Sequence, residues 1–137
     1  MGLDLISTGY FMCERMKVTI PAASTTAISL MSIPKGTYIT DVLVKIVSAG
    51  VGTGDIDIGD DDDPAGYLDG CDATGAANTI YGDDPTERGT YLYDGTKKSL
   101  PGKFYTGDKT LKAVASASTL TTGVTVDVYV MGFRAQA

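Results

Sequence analysis

The 137-residue sequence has no histidine and no tryptophan, only two cysteines and five prolines, and no apolar run approaching the ~20 residues of a membrane-spanning helix. Each shortage removes a class of function. Without histidine the chain lacks the commonest general base, the commonest zinc ligand and every Ser-His or Cys-His nucleophile. Positive charge is also scarce: 11 Lys and Arg stand against 17 Asp and Glu, a formal net charge of -6. No general basic field exists to hold phosphates, so neither nucleic acid nor an anionic membrane is expected as a partner. Cys13 and Cys71 lie outside any C-x-x-C or metal-spaced cluster. They are expected as reduced, partly buried thiols that behave as small hydrophobes. The N-terminus lacks a basic segment followed by an apolar one, and Ile6 stands where a myristoylation signal needs Ser or Thr. Synthesis and folding in the cytoplasm are therefore expected.

What is present is glycine, 17 residues of it, and alternation. The stretch Thr122–Arg134 reads TGVTVDVYVMGFR and places Val124, Val126, Val128 and Val130 on one face of a strand. Its opposite row, Thr125, Asp127, Tyr129, Met131 and Phe133, starts polar and turns apolar, which implies that something covers its second half. Further strands are predicted from Lys17 to Ile20 and from Ile28 to Met31. A long strand from Tyr38 to Val47 puts Tyr38, Thr40, Val42, Val44 and Ile46 on one face. Asp55–Ile58, Thr90–Tyr93 and Leu111–Ala117 complete the set. The small row Leu111, Ala113, Ala115 and Ala117 suits a place where two sheets approach closely, and Thr122-Gly123 is expected to turn this strand into the last one as a hairpin. Asp63-Pro64 is a helix-entry signal and predicts one helical turn ending near Gly70. Residues 71–89 read as a long surface loop, and Phe104-Tyr105 as a turn.

Regularly spaced strands broken by Gly, Pro and Asp, without βαβ alternation, predict an all-β fold: an antiparallel β-sandwich, jelly-roll-like, with at most one short helix. The expected division is an N-terminal interaction arm, residues 1–16, apolar but without a period, and a sandwich domain, residues 17–137. A dense set of carboxylates surrounds Asp60–Asp63. Calcium takes six to eight oxygen ligands, often from looped aspartates, so Asp57, Asp60 and Asp62 are candidate calcium ligands beside the plainer reading of a solvated, capped turn. Tyr67, Tyr81, Tyr91, Tyr93 and Tyr105 fall in the loop-rich middle, where tyrosine serves either interfaces or sugar stacking.

The stretch GDIDIGDDDDPAGYLDG, residues 54–70, resembles small bacteriophage structural proteins. The likeness lies in Ile56, Ile58, Gly59, Asp60, Tyr67 and Leu68, then Tyr105, then Val124 through Tyr129. It implies a non-enzymatic virion component, a head decoration or cement protein made in the host cytoplasm and bound to the outside of the capsid. The partners implied are the major capsid protein and further copies of itself, as a trimer. Under that reading Leu3, Leu5, Ile6, Tyr10 and Phe11, with Tyr129, Met131 and Phe133, cover interfaces. The alternatives are a carbohydrate-binding or adhesin-like module using the middle tyrosines and calcium, and a tail or head-fibre subunit.

Overall fold

Strand β9, Val124–Ala135, occupies the interior of a sheet, and its valine row decides which side of that sheet is core. Val124, Val126, Val128 and Val130 are all fully buried. Each such burial contributes roughly 1.5–3 kcal/mol. The computed structural model describes residues 9–92, 101–116 and 118–135. In chain order the other strands are β1 (Gly9–Ile20), β2 (Ile28–Ile33), β3 (Tyr38–Ser48), β4 (Asp55–Gly59), β5 (Leu68–Asp72), β6 (Ile80–Tyr81), β7 (Lys103–Phe104) and β8 (Lys109–Ser116). They form two antiparallel sheets packed as a sandwich. The first has the order β1-β9-β3-β6, with β7 also paired to β3, and the second has the order β2-β8-β4-β5. Between them lie the valines of β9, Val42, Val44 and Ile46 of β3, Ile56 and Ile58 of β4, and Leu111, Ala113 and Ala115 of β8.

Several boundaries differ from the sequence expectation, each for a local reason. Strand β1 begins at Gly9 and not at Lys17, so residues 9–16 of the expected arm pair with β9. Leu3, Leu5 and Ile6 lie outside the described residues. In β3 the two faces exchange part-way: Ile39 is buried, then Val42, Val44 and Ile46. A register shift between Ile39 and Asp41 causes this, with the Thr40 hydroxyl donating to the Met131 carbonyl at 3.1 Å. One extra residue moves all later side chains to the other face. Tyr38 is therefore not on the core face that Val42 shares.

The expected β8–β9 hairpin does not form, because β8 belongs to the second sheet and β9 to the first. Between them the chain is held by the glycine loop instead: Thr119 N donates to Thr53 O and Thr121 N to Val51 O. Gly52 turns that loop with a φ of 114°. At Gly123 a Cβ would meet the Ile20 carbonyl oxygen at 2.5 Å, so glycine lets the chain cross closely under β1.

Asp63-Pro64 caps as expected, with Ala65 N donating to Asp63 Oδ1 at 3.1 Å, but only a turn follows. Tyr67 N donates to Ile58 O and draws the chain back beside β4 before a helix can grow. The helical turn occurs instead at the second Asp-Pro, a 3-10 turn Pro85–Glu87 capped by Asp84. It interrupts the expected loop 71–89, as does β6. Thr90–Leu92 form a turn and not a strand, since Tyr91 N donates to Gly66 O; Tyr93 lies outside the described residues. Phe104 is in β7, not in a turn. Among the described residues no helix is long and apolar enough to cross a membrane.

Candidate functional site

Residues paired across antiparallel strands share a face, so the strand registers give the composition of the outer face of the first sheet directly. Phe11 of β1 pairs with Phe133 of β9, Phe133 with Tyr38 of β3, and Tyr38 with Phe104 of β7. An aromatic row thus crosses four strands. Its phenylalanines are 63%, 56% and 57% exposed, the degree of exposure expected of a contact surface and not of a core. The rings of Phe11 and Phe133 meet edge to face, 5.8 Å apart. Tyr38 anchors the row by donating from its hydroxyl to the Pro101 carbonyl at 2.6 Å.

The rows behind it continue the face. Cys13 and Asp41 flank half-buried Met131, and Arg15 and Leu43 flank half-buried Tyr129. Lys17 and Lys45 then flank Asp127. Sequence alternation places Asp127 on a solvated row, yet it is 3% exposed. Lys45 stands 3.9 Å from its Oδ2, and its Oδ1 has no hydrogen-bond partner. Of the predicted interface residues, Phe11, Tyr129, Met131 and Phe133 are brought together on this face. Tyr10 is 52% exposed but pairs with Arg134, which puts it on the other side of the sheet. Phe104 is the member that alternation cannot find, because its strand is two residues long.

The acidic turn is built differently from a cation loop. Asp60 is 1% exposed, and five donors converge on it. Its Oδ1 accepts from the backbone of Asp62 and Asp63 and from the Tyr91 hydroxyl, at 2.9, 3.0 and 2.9 Å. Its Oδ2 accepts from Lys103 Nζ at 2.8 Å and from the Tyr105 hydroxyl at 2.7 Å. Tyr105 has one proton to give, so the 2.7 Å contact between the Tyr67 and Tyr105 hydroxyls has Tyr67 as donor. Burial opposes the charge on Asp60 and is the largest single influence. Lys103, Tyr105 and the two backbone amides together outweigh it and hold the carboxyl at about 2. Burial likewise disfavours the ammonium of Lys103, and Asp60 and Tyr91 reverse this and raise its pKa. The ammonium lies 4.3 Å from the centre of the Tyr91 ring and 4.8 Å from that of Tyr105.

The candidate calcium ligands are placed as follows. Asp62 binds Lys103 at 3.2 Å and Lys109 at 3.1 Å, so it shares Lys103 with Asp60. Asp61 is paired with Lys112. Asp57 sits in β4 with its side chain on the opposite side from the buried isoleucines, accepting from Gly70 N at 2.8 Å. Burial raises its pKa. Among the described residues, no three acidic or thiol side chains converge as a metal site. Tyr67 and Tyr105 are buried, so they are not sugar-stacking platforms. They, Tyr91 and Lys103 instead tie the turn after β4 to the segment entering β7. A shallow groove of about 450 Å³ lies beside that turn, lined by Ser32, Ile33, Pro34, Asp61, Asp108, Lys109 and Thr110.

Fold and site together define an all-β sandwich with a buried structural ion pair and an exposed aromatic sheet face. No family model matches the chain, and no curated protein sequence matches it. Among solved structures it is similar to a chain of the cyanophage Pam1 capsid asymmetric unit, with a TM-score of 0.61 at 12% identity, over 93% of this chain and 87% of that one. It is also similar to a chain of the acid-stable capsid of Helicobacter pylori bacteriophage KHP30, with a TM-score of 0.49 at 13% identity, over 90% and 92%. At these identities the likeness is one of fold.

Proposed function

We propose that the chain is a non-enzymatic bacteriophage virion protein that decorates the head, binding across capsid subunits from outside and stabilising the shell. The observation that carries this reading is the aromatic row Phe11–Phe133–Tyr38–Phe104, laid across the outer face of the first sheet with no described segment covering it. Monomeric proteins rarely leave such a surface wet. The fold shared with a chain of the Pam1 capsid supports the setting. The partners are the major capsid protein and other copies of the chain, and the place of action is the virion surface after synthesis in the host cytoplasm. A closed ion-pair network at the acidic turn fits a part that carries load and not one that turns over substrate.

The test is cosedimentation with purified heads of the phage that encodes the chain. Phe11→Asp with Phe133→Asp leaves the valine row untouched, so the double variant should fold like the wild type by circular dichroism. Its capsid affinity should fall by about tenfold or more, the scale of losing buried aromatic anchors. Unchanged capsid binding by the folded double variant would remove this face from the proposal. Copy-number counting of virions by mass spectrometry separates a decoration protein, present in numbers close to those of the coat subunit, from a tail or fibre part.

A further inference from the structure

Strand β1 is an edge that no described segment of this chain covers. It pairs with β9 over twelve consecutive residues without a register shift, and no described backbone hydrogen bond reaches its other side. The edge strands of the second sheet are shorter, and each is irregular: β2 carries a shift between Ser29 and Met31, and β5 meets β4 across one. Bulges, shortness, proline and charge are the usual ways of blunting an edge, and of these β1 carries only charge, at Glu14, Arg15 and Lys17. A long regular edge is a template for another strand.

The charges along β1 decide which strand and in what register. Directly opposite residues share a face, so pairing β1 with β1 of a second copy keeps both outer faces on one side only when a residue, not a bond, sits on the two-fold axis. An axis at Glu14, Arg15 or Lys17 sets a charge against its own copy. An axis at Met16 sets Arg15 against Lys17. With the axis at Cys13, Phe11 falls opposite Arg15, Tyr10 opposite Met16, Met12 opposite Glu14 and Lys17 opposite Gly9, so no like charges meet. An axis at Met12 also avoids repulsion, but it pairs fewer residues and leaves Arg15 facing Gly9. Among the registers in which no like charges meet, the one at Cys13 alone sets the exposed Phe11 against a cation, twice by symmetry.

We propose that β1 is where a second copy of this chain joins, antiparallel about a two-fold axis at Cys13, making two five-stranded sheets into one. The two aromatic rows then lie on the same side of a continuous sheet. A two-fold edge closes on a dimer, so the smallest assembled unit is a dimer and not the trimer anticipated from sequence. Phe11 belongs both to this seam and to the aromatic face, but the number of copies and the register at Cys13 can be read whatever that face binds.

Cys13 is exposed, not partly buried as the sequence suggested, and Cys71 is fully buried, so the folded chain offers one thiol for a geometric test. Sedimentation equilibrium should give a dimer, and a short bismaleimide should join two chains through Cys13. A single cysteine at Lys17→Cys in a Cys13→Ser background sits far from its own copy. It should cross-link at least about tenfold less, while a mixture of that variant with Gly9→Cys, also in Cys13→Ser, regains the cross-link because only opposite residues approach within reach. A monomer or a trimer in sedimentation overturns the proposal. So does equal cross-linking at positions 13 and 17, or a mixture that fails to cross-link.

Discussion

Asp60→Asn keeps the side-chain outline and removes the charge on which five donors converge. The folded carboxyl lies at about 2 against an ordinary 3.8, and that difference corresponds to roughly 2.5 kcal/mol at about 1.36 kcal/mol per pKa unit. The folded value is the lower one, so this contribution is complete at neutral pH. It begins to fade as the pH drops below about 4, where the unfolded carboxyl takes up its proton, and is gone once the pH passes below about 2. In the variant an amide NH2 replaces one acceptor oxygen and faces donors, and Lys103, 21% exposed, keeps its charge without this partner. Breaking a buried pair from one side costs about 3–5 kcal/mol. For a chain of this length the melting point should then fall by about 10 °C or more. The assay is urea unfolding by circular dichroism at pH 7 and at intervals down to pH 2. The wild type should lose roughly 2.5 kcal/mol more than the variant across the acid range. The reasoning fails if the variant stays within about 1 kcal/mol of wild type at pH 7, well short of the expected cost. It fails equally if both chains show the same slope below pH 4.

The remaining expectations concern the core and the thiols. Ala115 pairs with Ile56 under the facing sheet and is fully buried, so Ala115→Leu should cost about 1–3 kcal/mol by overpacking, read as a shift of the urea midpoint with an unchanged slope. Burial, helped by nearby carboxylates such as that of Glu87, pushes the Cys71 thiol up to about 12, so a thiol reagent at pH 8 should react with Cys13 alone in the native protein and with both cysteines after unfolding. Fast labelling of Cys71 in the native state would contradict its placement against β4.

How far the sequence can be read depends on whether the deciding force is local. The valine row of β9 and Leu111, Ala113 and Ala115 of β8 follow from a period of two and point into the core as expected; Ala117, the last of the predicted row, lies outside the described residues. The face exchange in β3 does not follow, because a one-residue bulge at Thr40 is set by the partner strand's carbonyl and leaves the alternation of its own sequence intact. The missing β8–β9 hairpin has a similar cause. Thr122-Gly123 has turn chemistry, but hydrogen bonds from a distant glycine loop decide which sheet the chain enters next. At the acidic turn the composition is plain and the pairing is not. Lys103, Lys109 and Lys112 come from more than forty positions away to neutralise carboxylates that look like a cation loop in isolation. Phe11 and Phe133 are legible as a surplus of apolar side chains on outer rows, whereas Phe104 joins them only through a two-residue strand.

The placement of β9 between β1 and β3 governs the order in which this protein is born. Thr19 bonds to Thr125, 106 positions later; until the ribosome has made the strand that separates them, β1 has no described partner strand and β3 has only the two-residue strands β6 and β7. The emerging polypeptide must hold two long sticky ribbons apart while it waits. Closure over such a span is slow, so a chaperone is worth most in that interval.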